Sequence, residues 1–303
     1  MRKTLRLLVF GILAAISLGS CSILSESQIK SVESLADRGD SLSYAPSAIF
    51  HTLDEIRVER GLFYVASLST VQGRIDELNS LTKAKVEDQK RAVKADAYVG
   101  VLNSYTKALK SLSSGQRSEN IGRELRGIGN NVDSIIISYN ILLNEDLPEG
   151  LFKLTGKAFG YLGEGITKGK QFKLLKGFME SGDSLVASCC DTLISILKGD
   201  NMNHLIDNEL QGLENNFKAY VTLMDRSEEP ISMDAYRLYL EQREKLLAVK
   251  EVRNAVVRGL RSFKNSHHKL VGELEKKQDI DITKDLLELT KLSFDLCLAL
   301  KKL

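Results

Sequence analysis

Proline is scarce in this chain, and its scarcity limits the possible folds more than any other feature of the sequence. Only three of the 303 residues are proline. Proline removes a backbone donor and clashes with the preceding helical turn, so it interrupts helices. Pro46, Pro148 and Pro230 each lie in a context typical of a helix boundary. Long helices between these boundaries are therefore the expected building blocks.

The spacing of the apolar residues also predicts helices. Three stretches repeat every three or four residues, which places their apolar side chains on one face of a helix. These stripes run from Ile121 to Leu142, from Ile206 to Met224 and from Val252 to Leu274. We find no convincing alternation with a period of two, the pattern of a half-buried strand. The sequence predicts an all-α fold: an elongated antiparallel helical bundle with long helices.

The predicted helices can be placed along the chain. A single helical bundle domain is expected over 46–303, with helices over 47–112, 119–143, 151–181, 183–198, 203–225, 232–277 and 283–302. Gly61 or Gly73 is expected to kink or split the first helix, and Thr283 is a candidate cap for the last. The polar stretch 82–97 is expected to project into solvent or to form the loop side of a helical hairpin.

The first twenty residues have the features of an export signal. Basic residues at 2, 3 and 6 precede an apolar run over 7–18, which is too short for a comfortable membrane span. The run ends in Leu18-Gly19-Ser20-Cys21, which resembles the lipobox of bacterial lipoproteins. The resemblance implies a signal peptide over 1–20, cleavage before Cys21, and acylation of its thiol and new amino terminus. Two or more acyl chains hold a protein stably on a membrane.

Further expectations follow from this resemblance. Residues 21–45 would be the lipidated cysteine and a tether, and Ser22, with no Asp after the cysteine, resembles cargo of the Gram-negative outer membrane. Removing residues 1–20 takes away three of the 42 basic residues, so 39 remain against 40 acidic ones and the net charge becomes −1. A near-neutral body argues against nucleic acid as a partner. Spirochaetal helical surface lipoproteins are similar in plan, but the sixteen arginines depart from their lysine- and asparagine-heavy composition.

The residues that could support catalysis or bind a metal do not form a recognisable pattern. G-x-S-x-G is absent, and no two histidines have the i, i+3 or i+4 spacing of a helical metal site. We therefore predict no enzyme, no cofactor and no metal; a cell-wall hydrolase would need a catalytic constellation that the sequence does not show. Three cysteines besides Cys21 are expected to be buried thiols: Cys189, Cys190 and Cys297. A disulfide between Cys297 and either Cys189 or Cys190 is the alternative.

The glycine-rich centre of the chain allows two interpretations. Its Gly169-Lys170 pair lacks the rest of a phosphate-binding loop. Gly156, Gly160 and Gly163 share a helix face and are expected to allow close helix packing, although a basic amphipathic segment can also lie on a membrane. The preferred hypothesis is a membrane-anchored, non-enzymatic envelope lipoprotein, most consistent with a Gram-negative outer membrane, that binds or scaffolds a protein partner. The alternative is a membrane-active or pore-forming-like helical protein that uses residues 151–198.

Overall fold

The computed structural model describes residues 24–42, 45–114, 118–160, 171–274 and 283–303. Within these ranges the backbone forms helices and no strands, which confirms the predicted all-α bundle with long helices. The helices are α1 (Glu26–Leu42), α2 (Ala45–Ser67), α3 (Val71–Ser113), α4 (Ser118–Leu143), α5 (Glu149–Phe159), α6 (Gln171–Lys198), α7 (Asp200–Arg226), α8 (Met233–Leu274) and α9 (Thr283–Leu300).

Four helical columns run along the molecule. Column one is α1 followed by α2, column two is α3, column three is α6 followed by α7, and column four is α8. α1 packs on α3, α3 on α6, α6 on α8, and α8 back on α1, which closes a four-helix ring. The 43 residues of α3 correspond to a rod of about 65 Å, so the bundle is elongated.

Side-chain pairs define the direction of each column. Gln28 of α1 donates to the carbonyl oxygen of Glu273 on α8, and further along Lys245 of α8 pairs with Glu55 of α2 at 2.6 Å. Columns one and four are therefore antiparallel over their whole length. We call the end with Leu24, Ser113 and Leu274 the N-terminal end, and the end with the turns 68–70 and 227–232 the turn end.

A continuous apolar core fills the ring. Tyr105, Phe178 and Phe263 are fully buried at its centre, and the Tyr105 ring stacks on Phe178 with centroids 4.8 Å apart. Gly182 of α6 provides the space for this ring, because an added Cβ would overlap Tyr105. The remaining helices cover the outside: α4 packs on α3, α5 on α6, and α9 on α8 and α1.

The first predicted helix is divided at a different point from the one expected. The break lies at 68–70 rather than at Gly61 or Gly73. Thr70 caps α3, since its side chain accepts a hydrogen bond of 3.1 Å from the Gly73 backbone N–H. Gly61 instead permits α2 and α3 to approach closely, because an added Cβ would lie 2.5 Å from a methyl carbon of Leu81.

Two other expectations need correction. The expected tether over 21–45 contains α1, whose Val32 and Leu35 are fully buried in the core. The helices expected over 151–181 and 183–198 are also wrong at their junction, since Gln171–Lys198 is one continuous helix that includes Gly182. Burial against Tyr105 explains why the glycine does not end it. Residues 161–170 and the side chain of Thr283 lie outside what the structure describes.

Candidate functional site

Column two separates from column three toward the turn end. In this half α2 packs directly on α7, and α7 on α8, so three helices form the core. The first half of α3 packs chiefly on α2 and leaves apolar side chains in solvent, with Val71 73% exposed and Ile75 46% exposed. The stretch 82–97 lies inside α3 and not at the loop of the α2–α3 hairpin, so the expectation of a loop side is wrong. Thr82, Lys83 and Lys85 are exposed, whereas Ala92, Ala95 and Ala97 are buried.

A cleft of about 840 Å³ opens at the point where α3 leaves the α6–α7 junction. Gly199 separates these two helices, with an extended backbone at φ −60° and ψ 155°. The buried side chains of Phe50 and Met202 provide an apolar floor, and the exposed side chains of Asn201 and Asn208 lie at the rim. Such a combination of apolar floor and polar rim is typical of a site that receives another molecule.

A buried carboxylate fixes the wall of this cleft. Glu209 of α7 is 1% exposed and pairs with two arginines of α2: Arg57 Nη2 lies 2.6 Å from Oε1, and Arg60 Nε lies 2.5 Å from Oε2. Gly212 leaves room for the second guanidinium, since an added Cβ would lie 2.7 Å from Arg60 Nη1. Two cations around one anion compensate the desolvation of the carboxylate and hold α2 against α7.

A second polar cluster lies inside the ring. His267 of α8 is fully buried; its Nδ1 lies 3.0 Å from Asp183 Oδ1 and its Nε2 lies 2.7 Å from the Tyr105 hydroxyl. A neutral ring satisfies both contacts when Nδ1 donates to the carboxylate and Nε2 accepts from the hydroxyl. His268 Nδ1 donates to the other carboxylate oxygen at 2.7 Å. The cluster joins α3, α6 and α8.

Burial and hydrogen bonding shift the pKa values of this cluster, and only that of His267 moves against the direction that an ion pair would impose. Burial lowers the pKa of His267, although the Asp183 hydrogen bond opposes the shift. The hydrogen bond from His267 lowers the pKa of Asp183, and burial raises the pKa of Tyr105 well above its ordinary value. Because His267 and Tyr105 are both fully buried, a substrate could not reach them, and the cluster acts in packing.

The cysteines occupy two different environments. Cys189 and Cys190 are free, buried thiols, and burial raises the pKa of Cys189 to about 12. Cys297 is a free thiol on the exposed side of α9, so the expectation of a buried thiol is wrong for this residue. α9 packs on α8 and α1, which explains why its thiol does not meet those of α6. Cys21, the predicted acylation site, lies outside the described residues.

The predicted close-packing role of the central glycines is wrong for Gly156 and Gly160 as regards the described helices. Among the described residues, no neighbouring atom lies within 4 Å of a Cβ added at either position. α5 instead buries the face with Leu151, Thr155 and Ala158. Gly163, the third residue of the predicted face, is among residues 161–170 and outside the description.

Among the described residues, no three His, Cys, Asp or Glu side chains are grouped so that they could hold a metal ion. None of the described helices is both long enough and apolar enough to cross a membrane. In comparisons with known proteins, no family model matches the chain, and neither a curated protein nor a solved structure matches it.

Proposed function

We propose that this protein is a lipid-anchored envelope protein that binds a protein partner and catalyses no reaction. The lipobox-like residues 18–21 support the anchor, with Cys21 as the acylated residue and a Gram-negative outer membrane as the site of attachment. Leu24 lies three residues after Cys21, and three extended residues span about 10 Å. The N-terminal end of the bundle is therefore held beside the membrane.

The cleft between α3 and the α6–α7 junction is the observation that carries the proposed binding function. Its volume of about 840 Å³, its apolar floor and its polar rim suit an inserted side chain or a short helical segment. The separated half of α3 leaves an open face beside α7, where a partner helix could restore a four-helix arrangement.

Tryptophan substitutions at the rim test the role of the cleft. In N201W and N208W the indole would fill the opening, and both changed residues are exposed, so the core is left intact. We expect the anchored protein to cross-link a partner in envelope extract and the two variants to lose that product. E214W on α7, an exposed position outside the cleft lining, is the matched control. Unchanged cross-linking by both rim variants would contradict a binding cleft.

The membrane-active alternative uses residues that the bundle needs for its core. α6 buries Leu185, Val186 and Leu193, so its insertion into lipid would require the ring to open. Dye release from liposomes tests this alternative, because a pore-forming protein with residues 22–303 should release the dye at micromolar concentration. An intact vesicle population under these conditions would exclude pore formation by the bundle.

A further inference from the structure

The outer face of α9 exposes apolar side chains at regular spacing. The helix buries Leu289, Leu296 and Ala299 against its neighbours. On the opposite side, Leu287 and Phe294 are 64% and 63% exposed. The residues of this face follow one another at intervals of three or four, and we call them the α9 stripe: Lys284, Leu287, Lys291, Phe294, Leu298 and Lys301.

The lysines of the α9 stripe have no counter-ions among the described residues. Neighbouring lysines do have partners: Lys269 pairs with Asp285, and Lys302 with Glu251. Lys284, Lys291 and Lys301 make no ion pair with any described side chain. The stripe therefore alternates free positive charge with exposed apolar surface.

This alternation fits the surface of an anionic bilayer. Leucine and phenylalanine side chains can enter the boundary between headgroups and acyl chains, while lysine extends its ammonium group to the phosphates. Each lysine near an anionic leaflet favours binding through charge attraction. A second copy of the chain fits less well, because a symmetric contact would bring the free lysines of both copies together.

The position of α9 also directs the stripe to the membrane. Leu286 shares a shallow depression with Glu26 and Lys30 of α1, so the first turn of α9 lies at the N-terminal end. That end begins three residues after Cys21. α9 packs on columns one and four, whereas the cleft lies between columns two and three, on the other side of the ring.

We propose that the α9 stripe docks on the anionic phospholipid surface to which Cys21 anchors the protein, so that the bundle lies along the membrane. This inference rests on the proposed lipid anchor. It places the cleft on the side that faces away from the bilayer, where a partner can reach it. The stripe thereby sets the orientation of the binding surface as well as adding to the attachment.

The exposed thiol of Cys297, which precedes Leu298 on α9, offers a probe beside the stripe. The lipidated full chain is labelled there with a fluorophore under native conditions, in which buried Cys189 and Cys190 do not react. It is then placed in phosphatidylethanolamine/phosphatidylglycerol vesicles, or in phosphatidylcholine vesicles, that contain a headgroup-region lipid quencher. We expect strong quenching in the anionic vesicles and weak quenching in the zwitterionic ones.

Substitutions separate docking from mere proximity to the anchor. L287E/F294E should abolish the quenching, and K284Q/K291Q/K301Q should lower the docked-to-undocked ratio about 100-fold, since each lysine contributes a factor of about five. I137E/I141E on α4 is the matched control, because these residues are 57% and 73% exposed on another helix. This control variant should be quenched like the unchanged protein.

Each other result would overturn the docking proposal. Equal quenching in both vesicle types, or in the lysine variant, would mean that the tether alone brings the dye near lipid. Energy transfer between labelled copies without lipid quenching would mean that a second copy covers the stripe. Co-flotation of the protein with vesicles and the mass of the Cys21 peptide report the anchor separately. A protein that floats with the vesicles but shows no quenching contradicts only the docking proposal. A protein that neither carries acyl groups nor floats with the vesicles contradicts both proposals.

Discussion

Removal of the Glu209 carboxylate should strongly destabilise the bundle. In Glu209→Ala, the guanidinium groups of Arg57 and Arg60 stay between α2 and α7 without their shared anion. Their side chains are only 15% and 22% exposed, so water replaces the lost partner poorly. Removing one member of a buried ion pair is strongly destabilising, and here two cations that share one carboxylate would also face each other.

The size of the effect follows from the burial of the three groups. Removing one partner of a buried pair costs about 3–5 kcal/mol. The partial exposure of the arginines places this case near the lower limit, at about 3 kcal/mol. For a chain of this size, 1 kcal/mol shifts the melting temperature by about 2–4 °C. We therefore expect Glu209→Ala to melt about 6–12 °C below the unchanged protein.

Thermal unfolding followed by circular dichroism measures this shift, and two variants test its cause. Glu214→Ala removes an exposed carboxylate from the same helix and should change the free energy of unfolding by less than about 0.5 kcal/mol. The apolar triple variant R57M/E209M/R60M should recover most of the lost stability, because it removes the buried charges together. If Glu209→Ala melts with the unchanged protein, or if the triple variant is the least stable, the reasoning is wrong.

Two further perturbations examine the core. Gly182→Ala should lower the free energy of unfolding by about 1–3 kcal/mol, because the added methyl group overlaps the Tyr105 ring. Gly156→Ala faces no neighbour among the described residues and should raise that free energy by up to about 1 kcal/mol. Calorimetry that ranks the two variants the other way would contradict the packing of Gly182. Because the pKa of His267 is lowered in the folded state, the unfolded chain takes up the proton first, and the free energy of unfolding should decline as the pH falls below 6.5. The lowered pKa of Asp183 should add a further decline below about pH 3.8. Denaturant unfolding between pH 7 and pH 5 should show a shallower decline for His267→Gln, and identical slopes would refute this assignment.

The sequence predicts the helices well because their signals are local. Pro148 lies directly before α5, and Pro230 lies in the turn before α8. The apolar stripes give the buried faces, since a helix with one apolar face must cover it. α1 has the same signal in Val32 and Leu35, but the tether expected after the lipobox obscures it.

The candidate site depends on information that is not local. Glu209 and its arginine partners are about 150 positions apart, and nothing near Arg57 or Arg60 identifies the carboxylate. The cleft arises because α2 meets α7 directly in one half of the bundle, and no pattern within α3 encodes that separation. Glycines mislead for a related reason: nothing in the sequence around Gly61 and Gly156 indicates that, among the described residues, Gly61 closely faces another helix and Gly156 does not.

The closure of the four-helix ring has a consequence for the order in which the chain can fold. α1 packs on α8, and Gln28 meets Glu273 across 245 positions of sequence. While the chain emerges from the ribosome or from a translocation pore, Leu42 lacks the α8 segment around Gly259 that it later contacts. Contacts of such long sequence separation slow folding, because the loop must close before they form. The first of the described helices therefore completes its packing only after α8, one of the last of them, has been synthesised.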